Sequence, residues 1–213
     1  MRILSFTPIA VGEQELARRQ ARYDEHSPDG VEVVLRDIGT GSGAPTALET
    51  PEDVATSERA VLAAFAAADP EGFDAFLPDC VLDPGIDDQD GLARPLLGIG
   101  RLTASFLASQ GTPLFSVARN PAIAAELDRR FASYGLTAPD TRVLDLSFDA
   151  IADDRVWNET VERSVADLDG GFVFNACSAV DVAPSAGGAV LVDPTATALR
   201  LIGLRASLDG SAA

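Results

Sequence analysis

Short apolar runs alternate along this chain with longer stretches whose apolar positions recur at helical spacing. Arg2 to Phe6 is the first run, stopped by Thr7-Pro8, and Glu13 to Tyr23 follows with a polar-faced helix pattern. His26-Ser-Pro-Asp-Gly30 is turn chemistry, and Val31 to Leu35 is the next strand, leading into Gly39-Thr-Gly-Ser-Gly43. Thr50 before Pro51 reads as a helix start for the amphipathic stretch Glu52 to Ala68. The run from Phe73 then delivers Cys80 into the turn Asp83-Pro84-Gly85. Asp87-Asp88-Gln89-Asp90 reads as a solvated helix start, Pro95 to Ile99 as a short buried strand, and Leu102 to Ser109 as a helix.

The order then begins again. Pro113 to Ala118 is a strand, Ala122 to Tyr134 a helix and Arg142 to Leu146 a strand; Asp154 to Leu168 is a helix that puts Trp157, Val161 and Val165 on one core-facing side. Gly171 to Ala176 delivers Cys177, Ala189 to Val192 is a strand, and Asp193-Pro194 supplies an N-cap and first-turn proline for a last helix through about Ser207. Each half runs strand, helix, strand, helix, cysteine strand, small helix, strand, helix, a repeat of element order without residue-by-residue alignment. Such alternation implies parallel sheets with right-handed crossovers. The expected fold is therefore α/β, with two pseudo-symmetric lobes, each a short mostly parallel sheet flanked by helices. Residues 1–111 form the N-terminal lobe with Cys80, its last helix a candidate to cross over, and residues 112–213 form the C-terminal lobe with Cys177. Ligands in such sheets bind beyond the carboxyl ends of strands, where both cysteines sit, so facing lobes would bring them to one interlobe cleft.

Composition narrows the partners. The 213 residues are 46% hydrophobic, enough for a packed core. With 33 acidic against 16 basic residues, all of them Arg, the net charge of −17 disfavours nucleic acid and anionic membranes; its plain use is solubility. No stretch approaches the roughly 20 apolar residues of a membrane span, and the first residues do not read as a signal peptide. A cytoplasmic protein with two free thiols is the expectation. The glycine run at Gly39 lacks the G-x-G-x-x-G spacing and any Gly-Lys-Ser/Thr, so it reads as a flexible loop near a site and not as a nucleotide loop.

The two cysteines carry the candidate chemistry. A buried cysteine alone behaves as a small hydrophobe. A pair at equivalent places in two halves can instead face a carbon acid from opposite sides, one as thiolate taking a proton and the other as thiol returning one, which inverts a stereocentre without a cofactor. A free thiol titrates near 8.5, so thiolate formation at neutral pH needs help from turn amides, and the partner must stay protonated as one member of a coupled pair. The backbone amides of Val81, Leu82, Ser178 and Ala179 are the candidates for holding the developing enolate oxygen. A Cys-His hydrolase lacks its base, since His26 lies in a turn and should be exposed. A zinc site lacks ligands at the usual spacings, so neither metal nor cofactor is expected.

Cys80-Val-Leu-Asp83-Pro84-Gly85 has the form C-x-x-D-P-G. Together with Arg2-Ile-Leu, Gly39-Thr-Gly41 followed by Glu49 and Asp53, Phe115-Ser-Val, Asn175-Ala-Cys177-Ser-Ala and Val192-Asp193-Pro194, it resembles the hydantoin and allantoin racemases of the Asp/Glu racemase superfamily over nearly the whole chain. The resemblance implies two α/β lobes, an interlobe site and cofactor-free proton transfer by Cys80 and Cys177. Thr7-Pro8-Ile9 stands where that family usually has Asn-Pro-Asn, and Arg119-Asn120 where it has paired threonines; both places normally touch substrate, which puts Thr7, Arg119 and Asn120 in the expected binding set. Ala176 and Ala179 replace glycines. Asp79 would oppose thiolate formation if it turned inward; the alternative is that it points away from the cleft. Arg119 is either a bidentate carboxylate clamp, favouring an acyclic acid, or an ion-pair residue.

The expectation is a racemase or epimerase of a small carbon acid such as a hydantoin or amino-acid derivative, anionic or amide-containing. Maleate-isomerase-like and arylmalonate-decarboxylase-like chemistries are the alternatives on the same scaffold, and a non-catalytic small-molecule binder is the alternative of another class. A homo-oligomer is left open.

Overall fold

The computed structural model describes residues 1–182 and 188–210. The first half contains β1 (Arg2–Phe6), α1 (Glu13–His26), β2 (Glu32–Arg36), α2 (Pro51–Ala67), β3 (Ala75–Pro78) and α3 (Ile99–Ala108). The second contains β4 (Leu114–Ala118), α4 (Pro121–Ser133), β5 (Arg142–Val143), α5 (Asp154–Ser164), β6 (Phe172–Asn175), β7 (Val190–Val192) and α6 (Pro194–Gly210). Two parallel sheets result, ordered β2-β1-β3 and β5-β4-β6-β7. In both, the first strand of the half lies between the second and third, so the fold is the expected α/β arrangement of two lobes. Central strands are covered on both faces: Ile3, Leu4 and Ser5 of β1 are all buried, as are Val173, Phe174 and Asn175 of β6.

Helix starts follow the expected chemistry. Thr50 caps α2 in a capping box with Asp53, with Pro51 in the first turn. Asp193 accepts from Ala196 N–H (3.0 Å) at the start of α6. In the core, Phe65 of α2 stacks on Phe76 with ring centres 4.8 Å apart and meets Phe6 edge-on at 5.2 Å. Trp157, Val161 and Val165 are fully buried on one side of their segment.

Several elements depart from the sequence reading. The strand expected at Pro95 to Ile99 is reduced to one parallel bridge, Phe76 with Leu96, because Ile99 already opens α3. The acidic run at Asp87 starts no helix; Asp87 instead accepts from the buried Arg130 at 2.8 Å. Helix α1 extends through His26, which the reading had placed in a turn. β5 is two residues long, since Asp145 adopts φ 52° and turns the chain out of the ladder. The small helix expected between Cys177 and Ala189 falls partly on residues 183–187, outside those described.

The lobes exchange helix contacts. α6 packs on α1 and α3 of the first half, with Thr103 Oγ1 donating to the Pro194 carbonyl at 2.9 Å, and α4 packs on α2. Among the described residues, no helix is long and apolar enough to cross a membrane.

One close approach ties α3 to the Cys80 turn. A Cβ at Gly100 would lie 2.1 Å from the Val81 carbonyl oxygen and 2.9 Å from Asp83 Oδ2, and a backbone carbonyl cannot swing aside. Gly100→Ala is therefore expected to lower stability by about 1–3 kcal/mol, seen as an earlier denaturant midpoint at unchanged slope. Gly41→Ala, with nothing within 4 Å of its Cβ, should stay within about 0.5 kcal/mol of the parent.

Candidate active site

The two cysteines occupy equivalent positions. Pro78 of β3 is in register with Phe6 of β1, and Asn175 of β6 with Val117 of β4. One more ladder bond follows in each sheet, Asp79 N–H to the Phe6 carbonyl and Ala176 N–H to the Val117 carbonyl, both 2.9 Å. The next residue in each half is the cysteine, released from the sheet into a turn. The backbone amide two residues on, Leu82 for Cys80 and Ala179 for Cys177, pulls each thiol downward. Such an amide favours the thiolate form. Gly85 sits at φ 83° with Leu62 side-chain atoms 2.5 Å from where a Cβ would be, so the Asp83-Pro84-Gly85 turn needs its glycine.

Both thiols border one cavity of about 70 Å³ between the lobes. Of the residues expected at the site, Cys80, Leu82, Arg119, Cys177, Ser178 and Ala179 line it. Thr7, Val81 and Asn120 are not on its wall. Thr7 is fully buried, donating to Asp37 Oδ1 (3.2 Å) and accepting from Ile38 N–H (3.0 Å), and its neighbours Pro8 and Ile9 reach the cavity instead. Val81 packs in the core. Asn120 caps α4, accepting from Ile123 N–H at 2.9 Å, and donates to the Leu48 carbonyl at 2.8 Å. The glycine loop at Gly39 is not on the wall either. His26 is half-buried 4.0 Å from Asp193, away from the cavity, and not exposed as expected.

Sequence reasoning missed Arg19, Leu48 and Phe148, all on the wall. Arg19 lies within the stretch that reads only as a polar-faced helix. The usable signal was the four-residue spacing of Glu15, Arg19 and Tyr23, which stacks them along one side of α1.

Asp79 turns away from the cavity. Its carboxylate accepts from Arg19 Nη1 (2.7 Å) and Tyr23 Oη (2.8 Å), and the residue is 2% exposed. Its carbonyl accepts from Ser178 Oγ at 3.2 Å, a direct bond between the two cysteine turns. Arg119 donates to Glu49 Oε1 (2.8 Å) and to the carbonyls of Leu48 (2.9 Å) and Leu146 (3.3 Å), with Phe148 5.6 Å beneath its guanidinium. Among the described residues, no group of three or more His, Cys, Asp or Glu is placed to hold a metal ion.

Burial pushes the Cys80 thiol up to about 12; Asp79 and Asp83 push the same way, while the Leu82 amide and Arg19 pull back. Burial also raises Cys177, but there the Ala179 amide, Arg19, Arg119 and Arg22 all pull downward. Asp83, held at φ 49°, accepts from Gly100 N–H (2.8 Å), Arg101 N–H (2.6 Å) and Tyr134 Oη (2.7 Å) and so caps α3. Its burial outweighs those donors and raises it from the ordinary 3.8 to about 6.

The raised Asp83 value has a stability consequence. The folded state holds this proton more tightly than the unfolded one, so its contribution is complete below pH 3.8 and is lost as pH rises through about 6. The gap corresponds to about 3 kcal/mol. Denaturant unfolding of Asp83→Asn from pH 4 to pH 7 should lack this decline; an unchanged slope of stability with pH would show that other groups cause it.

The sequence matches no protein-family model, and no curated protein matches it. Solved structures do match in fold. The allantoin racemase from Pseudomonas fluorescens superposes with a TM-score of 0.81 at 17% identity, covering 98% of this chain and 92% of that one. The allantoin racemase from Klebsiella pneumoniae gives 0.78 at 17% identity, over 98% and 89%. The Picrophilus torridus aspartate racemase gives 0.61 at 13% identity, over 95% of both chains. This chain shares the two-lobe fold of those racemases.

Proposed function

We propose that this protein is a cofactor-independent racemase that inverts the stereocentre of a small, amide-containing carbon acid of the hydantoin kind, with Cys80 and Cys177 as its acid–base pair. The observation that carries the reading is that the only two thiols of the chain border one cavity from opposite lobes. One thiolate takes the proton from the substrate carbon, the electron pair moves onto the adjacent carbonyl, and the other thiol returns a proton to the opposite face. The two groups exchange protonation states in each turnover. The fold shared with allantoin racemases supports the same reading.

The charge pattern favours an uncharged substrate over an amino acid. Both guanidiniums on the wall already hold carboxylates, Arg19 those of Glu15 and Asp79 and Arg119 that of Glu49. A substrate carboxylate would have to compete with these partners. A ring carbonyl asks only for a donor, and Ile9, Leu48, Ile123 and Phe148 supply apolar walls around it.

Incubation in deuterium oxide with a panel of 5-substituted hydantoins, allantoin, free amino acids and maleate, followed by proton NMR, tests this. Exchange of the α-proton is expected on the cyclic amides and not on the amino acids. Cys80→Ser and Cys177→Ser should each cut racemisation by about 10²–10⁴-fold. Full activity in either variant would overturn the two-base scheme, and no exchange on any candidate would overturn the racemase reading itself.

A further inference from the structure

The two thiols are equivalent in backbone position but not in the charges around them. Cys80 lies between two buried carboxylates in its own turn, Asp79 one residue before and Asp83 three after, which are 2% and 0% exposed. Arg19 partly offsets Asp79. Behind Cys80 a second small cavity is bordered by Glu58, Glu126 and Arg130, two carboxylates against one guanidinium.

Cys177 has the opposite surroundings. Arg19 and Arg119 lie on the cavity wall beside it, and Arg22 acts on it from α1. Arg19 shares its charge with the buried Asp79, but the other carboxylates that pair with these cations are more exposed. Glu15 is 34% and Glu49 47% exposed, and neither is on the cavity wall; Asp181, paired with Arg22, is 65% exposed, and Asp193, also paired with Arg22, is 18% exposed. A solvated carboxylate is screened by water, whereas a buried guanidinium facing a thiol is not. Arg18 donates to Glu15 and to the Ala179 carbonyl, and Asp154 of α5 interacts with Arg18 and Arg22. Cys177 is also less buried than Cys80, so a charge on it loses less hydration.

We propose that Cys177 is the first of the two thiols to ionise, so that the singly ionised free enzyme holds the thiolate on Cys177 and the proton on Cys80 and is set to abstract from the Cys177 face of the substrate and to reprotonate from Cys80. The catalytic roles in that statement rest on the racemase reading; the unequal sharing of charge does not. In the ready direction the Cys177 thiolate becomes a thiol as it takes the carbon-bound proton, and Cys80 becomes the thiolate as it gives its own. The product form carries its charge between Asp79 and Asp83, and it resets when Cys80 takes a proton from water and Cys177 releases one.

The test needs no substrate, so its outcome is independent of whether racemisation is found. The ultraviolet absorbance of the thiolate is followed against pH in the single-thiol variants Cys80→Ser and Cys177→Ser, and the unmodified protein is treated with iodoacetamide at neutral pH and mapped by mass spectrometry. The thiolate is expected at lower pH in Cys80→Ser, which retains Cys177, than in Cys177→Ser. Alkylation is expected at least about tenfold faster at Cys177. Adding Arg119→Gln to Cys80→Ser should move the Cys177 titration to higher pH. Equal midpoints, or a lower midpoint for Cys80, would overturn the proposal even if Cys177 alkylated faster, because the absorbance titration does not depend on reagent access.

Discussion

The buried ion pair between Arg19 and Asp79 is the contact on which the arrangement of both thiols depends. Taking two charges out of water is costly, and the Coulombic gain offsets it only when geometry and accessory hydrogen bonds are good. Both conditions hold: the Arg19–Asp79 contact is 2.7 Å, Tyr23 fills the second carboxylate oxygen, and Glu15 takes Arg19 Nε. Loss of one partner would leave the other buried and uncompensated, which typically costs about 3–5 kcal/mol. The pair persists because its backbone is shared with the site. Asp79 N–H continues the sheet to Phe6, its carbonyl holds Ser178 of the opposite turn, and its side chain fixes α1. A residue whose charge opposes a thiolate at Cys80 is thereby turned outward and used to space the two turns.

A second regularity follows from the helices that lean across the lobe boundary. The Cys177 turn is held by α1 of the first half: Arg18 donates to the Ala179 carbonyl at 2.6 Å, and Arg22 pairs with Asp181 and Asp193. The Cys80 turn is held by α4 and the residue after it in the second half. Tyr134 donates to Asp83 at 2.7 Å, and Arg130 reaches Asp87 at 2.8 Å and Glu58 at 2.6 Å, while Glu58 accepts from Gly85 N–H at 2.9 Å. Each thiol is therefore placed partly by side chains of the other half. The distance between the sulfurs is a property of the interface, and neither half would present its cysteine correctly by itself.

Legibility in the sequence tracked how local the cause was. The strand and helix alternation, the Thr50 and Asp193 caps and the arrival of a cysteine at the end of the third strand of each half are local patterns, and they read correctly. The strand at Pro95 failed because a distant side chain, Asp83, caps α3 and pulls its start forward to Ile99. Thr7 and Asn120 were expected at the site because the resemblance puts them where substrate is normally touched, but each spends its polar atoms within the protein: Thr7 on Asp37 and Ile38, Asn120 on Ile123, Leu48 and Glu49. Arg19 was invisible for the converse reason. A charged residue on a polar helix gives no sign that it will be 5% exposed until its carboxylate partner, sixty positions away, is brought against it.

Arg119 shows how the same geometry bears on chemistry. The sequence allowed a carboxylate clamp or an ion pair, and the guanidinium is committed to Glu49 and two backbone carbonyls while one side of it remains on the cavity wall. Neutralised at a distance but buried at the wall, it can lower the energy of a nearby thiolate, or of charge developing on a carbonyl oxygen, without binding a resident anion strongly. A free cation would hold a carboxylate substrate in its ground state and gain little more in the transition state. A compensated one gives its stabilisation chiefly when negative charge appears during proton transfer, and only that difference between the two states accelerates the step.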